Sequence, residues 1–205
     1  MGGGSLFSDV YYEVERDAEF VLRERGSKFF TFVYGVRSEA DIKERLEGLK
    51  RQYPDATHHC YAWVMGARGE AQRANDDGEP SNSAGRPILR AVISAGVTNV
   101  LVVVVRYFGG ALLGIPGLIA SYGEAAESAL RAAGRLEKFI EETYEIRSTF
   151  EHEQEIHRLI AKYGARVLGS EYTDQVCYRV AVKAGVGRDF ENALKDQYLL
   201  SGKRL

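Results

Sequence analysis

The chain has 205 residues, of which 45% are hydrophobic and 27% are charged, so the composition excludes disorder and a coiled coil. The 27 Lys and Arg side chains nearly balance 29 Asp and Glu, and the formal net charge is −2. Residues 1–135 carry 16 basic and 17 acidic side chains, and residues 136–205 carry 11 and 12. Neither part is a strongly basic nucleic-acid-binding domain, so any basic surface must be local.

The two cysteines, Cys60 and Cys177, are far apart in the sequence, which excludes a local zinc knuckle or redox pair. Reduced thiols and a cytoplasmic location are therefore expected. No apolar run approaches the roughly 20 residues that span a bilayer, so a membrane is not an expected partner. Residues 1–5 lack the basic start and apolar stretch of an export signal.

In the first part of the chain, hydrophobic periodicity predicts strands over 10–16 and 27–36. A helix follows, with Ser38 as its N-cap and Pro54 at its end, which gives a β-β-α opening. The alternation from His58 to Met65 is typical of a strand that is covered on both faces.

The next segment, 66–83, has no periodicity and is predicted to be a long loop. A short helix over 83–96 follows it, ended by Gly96. Four consecutive valines make 99–106 the clearest buried strand of the chain. A glycine-rich turn then leads into a helix over 116–133, rich in alanine and closed by a glycine.

From residue 136 the pattern changes to strand, helix, strand, strand, helix. The strand is predicted over 139–150, the helix over 152–163, and the last helix around 190–200, with a short closing strand near the C-terminus. This βαββα(β) order is the split-βαβ, ferredoxin-like plan. The sequence thus predicts two α+β domains, 1–135 and 136–205.

The turn between the buried strand and the long helix is the first candidate site. Glycine backbone groups and a helix N-terminus favour a bound anion there, and Arg106 adds guanidinium donors. The segment matches neither the P-loop nor the dinucleotide-binding motif. The alternative is that the glycines only permit a tight turn. The candidate phosphate-binding residues in this turn are Arg106, Gly109, Gly110, Gly114 and Gly117.

The predicted loop over 66–83 is the second candidate, because Asp76, Asp77 and Glu79 bring three carboxylates together. Beside a phosphate pocket they are candidate ligands for Mg²⁺, whereas the competing interpretation is a solvated acidic turn. The residues after these acids complete the candidate ligand site: Ser81, Ser83, Gly85 and Arg86.

Neither serine can be tied to a base by spacing, although His58 and His59 are available in this half. Adjacent histidines on a strand point to opposite faces, so they cannot jointly bind one metal. The histidines at 152 and 157 are five apart, one more than a zinc-binding helix needs, which excludes zinc there.

The C-terminal sheet offers Arg147, Arg179 and Lys183 at positions that alternate with apolar ones, as a candidate basic face for RNA. The aromatic signature of an RNA-recognition motif is missing. A solvated sheet face or a domain contact is the alternative.

Three blocks of the sequence resemble the IMPACT/YigZ family. They are the segment from Asp76 to Ser81, the segment from Ala84 to Leu89, and the segment from Arg106 to Gly110 together with Leu113-Gly114 and Gly117-Leu118. Asn82-Ser83 stands where the family usually has Gly-Thr, and Pro116 where a glycine is common. The resemblance covers essentially the whole chain.

The resemblance implies an N-terminal domain like the second domain of ribosomal protein S5 and a ferredoxin-like C-terminal domain like part of elongation factor G. It also implies a regulatory role in translation, with RNA, the ribosome or a translation-regulating protein as partner, and without DNA specificity. No reaction is established for the family, so a non-enzymatic factor is expected and no cofactor is required. The alternative is a Mg²⁺-dependent enzyme acting on a small phosphorylated compound.

Overall fold

The structure is a computed structural model, and it describes residues 9–205. The expectation about residues 1–5 lies outside the described residues. The chain divides into two compact units. The first unit is Tyr11–Lys138, and the second is Phe139–Leu205 together with Asp9 and Val10. The sequence predicts a domain boundary after residue 135, and the division of the chain falls after Lys138.

The first unit is built on a five-stranded antiparallel sheet of order β2-β3-β6-β4-β5. Strands β1 and β7 pair with each other in a separate two-stranded sheet. The strands are β1 (Val10–Glu13), β2 (Ala18–Glu24), β3 (Ser27–Gly35), β4 (His58–Met65), β5 (Ala71–Asn75), β6 (Val100–Tyr107) and β7 (Leu136–Phe139). The helices are α1 (Glu39–Gln52), α2 (Gly85–Ala95) and α3 (Gly114–Ala133).

Strand β6 is central and buried on both faces, as its run of valines predicts. Val100, Val102 and Val104 face the core beneath α2 and α3. The intervening Leu101, Val103 and Val105 belong to a second core, which also contains α1 residues. The two-residue period of a strand therefore separates two hydrophobic layers, and residues of β6 can be assigned to either layer by position alone.

The predicted helix boundaries are confirmed where a capping residue marks them. The Ser38 hydroxyl accepts a hydrogen bond from the Asp41 backbone N–H at 3.2 Å, so Ser38 is the N-cap of α1. Gly96 ends α2 in the left-handed conformation, with a φ of 63°. No helix within residues 9–205 is both long and apolar enough to cross a membrane.

The second unit contains β8 (Glu141–Ser148), α4 (Glu153–Tyr163), β9 (Arg166–Tyr172), β10 (Val176–Lys183), α5 (Ala184–Lys195) and β11 (Ser201–Arg204). Its antiparallel sheet has the order β11-β8-β10-β9. Strand β10 thus separates β8 from β9, which is the split-βαβ arrangement of ferredoxin-like folds. The predicted α+β class is confirmed.

Several local predictions were wrong. Three strands precede α1, because β2 was missed between the two predicted strands. Its apolar face consists only of Ala18, Phe20 and Leu22, which are partly buried, and the exposed Val21 between them breaks the alternation with polar residues. The predicted loop over 66–83 contains β5, an edge strand that is mostly exposed and so carries no hydrophobic pattern.

In the second unit, the strand predicted over 139–150 corresponds to the shorter β8, Glu141–Ser148. Phe139 belongs instead to β7, which is a separate element. The last helix begins at Ala184 rather than near 190. Its first turn contains Gly185 and Gly187, which lower helix propensity. A Cβ at Gly187 would meet the ends of the Glu142 and Tyr144 side chains, so α5 packs closely on β8 at this glycine.

Candidate functional site

Three neighbouring strands bring Phe29, Arg106 and His58 into one row at an end of the first unit's sheet. Phe29 lies opposite Arg106 in the β3–β6 pair, and His58 lies opposite Arg106 in the β6–β4 pair. All three positions continue the face that α2 and α3 cover, because they alternate in step with Val104 and Cys60. The sheet register thus places a histidine beside the arginine that the sequence singled out.

Glu79, from the loop after β5, forms a buried ion pair with Arg106. Its Oε1 accepts a hydrogen bond from Arg106 Nη1 at 2.5 Å, and the two side chains are only 4% and 6% exposed. The Tyr122 hydroxyl of α3 donates to the same Oε1 at 2.8 Å. The acidic block and the block that starts at Arg106 are therefore in contact, and the charges of Glu79 and Arg106 neutralise each other.

The rest of the Arg106 guanidinium is held by neighbours in the fold. Nη2 lies 3.4 Å from the Ser27 hydroxyl, and the guanidinium carbon lies 5.4 Å from the Phe29 ring centroid and 5.6 Å from that of Phe108. The buried Nε has no hydrogen-bond partner among the described residues. Arg106 is thus a fixed, buried cation rather than an exposed phosphate contact.

Tyr122 and Cys60 complete the buried polar cluster. The Cys60 thiol lies 3.3 Å from the Tyr122 hydroxyl and 3.0 Å from the Asp76 carbonyl. Burial raises the pKa of both the Cys60 thiol and the Tyr122 phenol. Both groups remain protonated near neutral pH, so Cys60 lacks the thiolate character of a nucleophile.

The two adjacent histidines point to opposite faces of β4, as strand alternation predicts. His58 Nδ1 donates to the Asp77 carbonyl at 2.8 Å, and its Nε2 lies 3.8 Å from Glu79 Oε1. His59 lies opposite Val105, which belongs to the core on the other face. Burial lowers the pKa of His59, and the nearby Asp77 carboxylate opposes that shift.

The Asp76 carboxylate caps helix α2. Its Oδ1 accepts from the backbone N–H groups of Ala84 at 3.0 Å and Gly85 at 2.8 Å, and its Oδ2 accepts from Asn82 N–H at 2.8 Å. The positive end of α2 is therefore already occupied by a carboxylate of the same chain.

The other residues of this block that were predicted to hold a ligand make contacts within the loop after β5 or lie at its surface. The buried Ser83 donates its hydroxyl to the Pro80 carbonyl at 2.6 Å. The exposed Ser81 hydroxyl accepts from the Asn82 amide at 3.1 Å. Gly85 packs against the Asn75 backbone, where a Cβ would lie within 2.6 Å of Asn75 N, and Arg86 is exposed.

The three acidic residues do not converge on one point. Asp76 caps α2, Asp77 accepts from the His59 backbone N–H at 2.6 Å, and Glu79 pairs with Arg106. Within residues 9–205 there is no group of three or more His, Cys, Asp or Glu side chains arranged to hold a metal ion.

The glycine-rich turn is anchored at its start and exposed beyond it. The Gly109 N–H donates to the Ser27 hydroxyl at 3.2 Å. Its backbone touches the β2–β3 turn so closely that a Cβ on Gly109 would lie 1.9 Å from the Gly26 carbonyl carbon. Gly110 and Gly114 are exposed with positive φ, and Gly117 is half-buried. The N-cap of α3 makes no side-chain hydrogen bond, and its first turn contains no acidic residue.

Residues 108–115, here called the apolar loop, cover one side of a pocket of about 450 Å³. Phe108, Leu112 and Ile115 are all exposed, and Leu112 is the extreme case at 84%. His58, Glu79 and Arg106 line the polar part of the same pocket. The site thus combines a charge-neutral polar wall with apolar side chains at its rim. These apolar residues are not among the site residues that the sequence predicts, although their position in a glycine-rich turn was a signal.

The predicted basic face lies in the second unit, and each of its cations has a partner. Arg147 forms an ion pair with Glu145 at 2.9 Å, and Arg179 forms one with Glu171 at 2.8 Å. The Lys183 ammonium lies 3.4 Å from the Phe139 ring centroid. All three are exposed on the sheet face opposite the helices.

The fold and the site together define a two-unit α+β protein with a buried Arg–Glu pair beside an exposed apolar loop. The family model of the Impact N-terminal domain matches residues 25–130, which include Arg106, Glu79 and Tyr122. The chain is 34% identical over 172 residues to the IMPACT family member YigZ of Escherichia coli (strain K12), covering 83% of this chain and 84% of that protein. The chain belongs to the IMPACT family.

Further similarities agree with this assignment. The IMPACT family member YvyE of Bacillus subtilis (strain 168) is 37% identical over 128 residues, covering 62% of this chain and 59% of YvyE. A crystal structure of a hypothetical protein superposes with a TM-score of 0.70 at 30% identity, covering 97% of this chain and 98% of the other. The fold described above is thus shared across the full length of a solved relative.

Proposed function

We propose that this protein is a translation-associated regulatory factor that acts by binding, and that the apolar loop docks on a protein surface of the ribosome. Membership of the IMPACT family supports the translation context. The observation that carries the mode of binding is the exposure of Phe108, Leu112 and Ile115 around the pocket. Contiguous exposed apolar side chains are typical of protein-interaction sites.

The electrostatics of the site favour a protein surface over a phosphate. Arg106 is buried and paired with Glu79, and the N-terminus of α2 is capped by Asp76. Arg106 Nη1 and the N–H groups at the start of α2 are therefore satisfied within residues 9–205, whereas Arg106 Nε and the N-terminus of α3 are not. A partner's apolar side chain would instead exclude water from the pocket and gain its free energy from burial of apolar surface.

Binding without catalysis is supported by the state of the buried cluster. Cys60 and Tyr122 remain protonated because burial raises their pKa values. Glu79 is held by two hydrogen bonds and is only 4% exposed, so it is poorly placed to exchange protons with a substrate. The cluster instead fixes the loop after β5 against the sheet and against α3.

The experiment is sedimentation of the purified protein with purified ribosomes at low and moderate salt. Leu112→Asp should abolish cosedimentation, because a carboxylate at the centre of the patch opposes desolvation. Ile93→Asp is the matched control, since Ile93 is also an exposed apolar residue but lies on α2. We expect the control to bind like the wild type, with little dependence on salt.

Two outcomes would contradict the proposal. The first is the absence of any cosedimentation at low salt. The second is binding that survives Leu112→Asp but falls steeply with salt and is lost in Arg147→Ala/Arg179→Ala. That result would assign the contact to RNA on the sheet face of the second unit. Filter binding to single-stranded and duplex RNA measures the second outcome directly.

A further inference from the structure

Strand β9 is an exposed sheet edge in the second unit. Within residues 9–205 it pairs only with β10, and all seven of its residues are exposed. They include the large apolar side chains of Val167, Leu168 and Tyr172. An edge of this length presents unpaired backbone groups to solvent, and natural proteins usually protect or use such edges.

A bulge in β9 sets the faces of its side chains. Gly169 lies opposite Arg179 and Val167 lies opposite Val180, so Leu168 is an extra residue in the strand. Arg166 and Glu171 lie opposite Ala181 and Cys177, on the face of the sheet that the helices leave open.

The residues between these two charges divide between the faces. Val167 and Ser170 lie opposite Val180 and Tyr178, which point into the helix-covered core. Leu168 and Gly169 are the two bulge residues that together lie opposite Arg179, so both belong to the open face.

We infer that β9 is the interface of a two-fold homodimer, in which the β9 strands of two copies pair antiparallel. In the proposed register, Arg166 lies opposite Glu171 of the second copy, Val167 opposite its Ser170, and Leu168 opposite its Gly169. Each of these pairs joins residues of the same face. A shift by one position would place Arg166 opposite Tyr172 or Ser170, which belong to the other face.

The charges select a second copy as the occupant of this edge. Arg166 and Glu171 lie near opposite ends of β9, so one two-fold operation makes two opposite-charge cross-strand pairs. Arg166 already pairs with Glu141, and Glu171 with Arg179, in the same chain. Dimerisation would extend these pairs into an alternating series of Glu141 and Arg166 from one copy with Glu171 and Arg179 from the other.

Backbone hydrogen bonds between the two edges would supply the affinity, and the charges would set the register. Pairing would join two four-stranded sheets into one continuous sheet and cover the apolar side chains of β9. The inference does not depend on the proposed ribosome contact, which lies in the first unit.

Sedimentation equilibrium of the full-length protein tests the inference with two single charge reversals. Arg166→Glu places two acidic residues opposite each other at both ends of the interface, and Glu171→Arg places two basic residues there. Each reversal should weaken self-association by on the order of tenfold. An equimolar mixture of the two variants should restore the dimer, because the carboxylates of the first variant then meet the guanidinium groups of the second at both ends.

Arg158→Glu is the matched control, because Arg158 is an exposed, ion-paired arginine of the same unit that lies on α4. It should dimerise like the wild type. Arg166 and Glu171 are 62% and 66% exposed, so the fold should tolerate both reversals, which circular dichroism verifies.

Three outcomes would overturn the inference. They are a wild-type protein that stays at 22.8 kDa at high micromolar concentration, a dimer that both single reversals leave intact, and a mixture of folded variants that fails to associate. If a variant does not fold, amide hydrogen exchange of the wild-type protein tests the dimer instead. Protection of the β9 amides must rise with protein concentration, and its constancy would equally exclude the dimer.

Discussion

Each of the two units contains an Arg–Glu ion pair, and the two pairs differ in how far they are exposed to water. In the first unit, Arg106 and Glu79 are 6% and 4% exposed, and Tyr122 adds a further hydrogen bond. In the second unit, Arg179 and Glu171 are 55% and 66% exposed at a similar N–O distance. Water screens the second pair and not the first, so burial rather than contact geometry determines what each pair does. The buried pair organises a fold, whereas the exposed pair is free to exchange partners.

The largest effect should come from breaking the buried pair. Glu79→Leu leaves the Arg106 cation buried without its partner, which should lower the free energy of unfolding by about 3–5 kcal/mol. Trp63 is the one tryptophan of the chain and lies in the first unit, so its fluorescence during urea unfolding measures the loss. The double variant Glu79→Leu/Arg106→Met should lose less than the sum of the two single variants. Additive losses would show that the two charges are not coupled.

Removal of the α2 cap should have the next largest effect. Asp76→Ala leaves three backbone N–H groups without their acceptor and should cost about 1–2 kcal/mol. Asp55→Ala, which removes an exposed turn carboxylate, is the control and should change stability very little. Equal losses in the two variants, again measured by Trp63 fluorescence, would argue against the capping role.

His59 should give the first unit a smaller, pH-dependent contribution. Burial lowers the pKa of His59 below its ordinary value of 6.5, so the unfolded chain binds a proton at a higher pH than the folded one. The contribution of His59 to stability should therefore be constant above about pH 6.5. It should fall as the pH drops from about 6.5 towards the folded pKa. Unfolding between pH 7.5 and 5.5 should show this loss in the wild type and a reduced loss in His59→Gln. An identical pH profile in both proteins would assign the dependence to other groups.

The exposed pair should matter least for stability. Arg179→Ala should change the free energy of unfolding of the second unit by no more than about 0.5 kcal/mol. Hydrogen exchange of the β10 amides measures that unit separately, because Trp63 does not report on it. A loss comparable to that of Glu79→Leu would remove the distinction between the two environments.

The sequence predicted elements wherever hydrophobic periodicity and capping residues agree. The buried valines of β6, the N-cap Ser38 and the βαββα order of the second unit are examples. It failed for β5 and β2, because edge strands bury little apolar surface and so have no strong pattern. It also could not assign Tyr122 to the site, since a tyrosine on an apolar helix face is usually core, and only the packing of α3 against the sheet places it beside Cys60 and Glu79.

The charge of the site shows a different limit of sequence reasoning. The sequence singled out Arg106 and the acids of the loop after β5 as groups that would face a ligand. The sheet register places Arg106 at a buried position, where Glu79 is its direct partner. Two opposite charges can bind a ligand or neutralise each other, depending on the distance between them. Arg106 and Glu79 are remote in sequence, so no local sequence pattern predicts that distance.

The contact between Gly109 and Gly26 has a consequence for protein engineering. Since the start of the apolar loop is pinned to the β2–β3 turn, its tip can change without displacing β6. Foreign peptides inserted between Leu112 and Leu113 should accordingly be displayed as a constrained protrusion, with the scaffold's melting temperature largely retained. In a Gly109→Ala background the new methyl group would separate the two turns, and the same insertion should then lower the melting temperature.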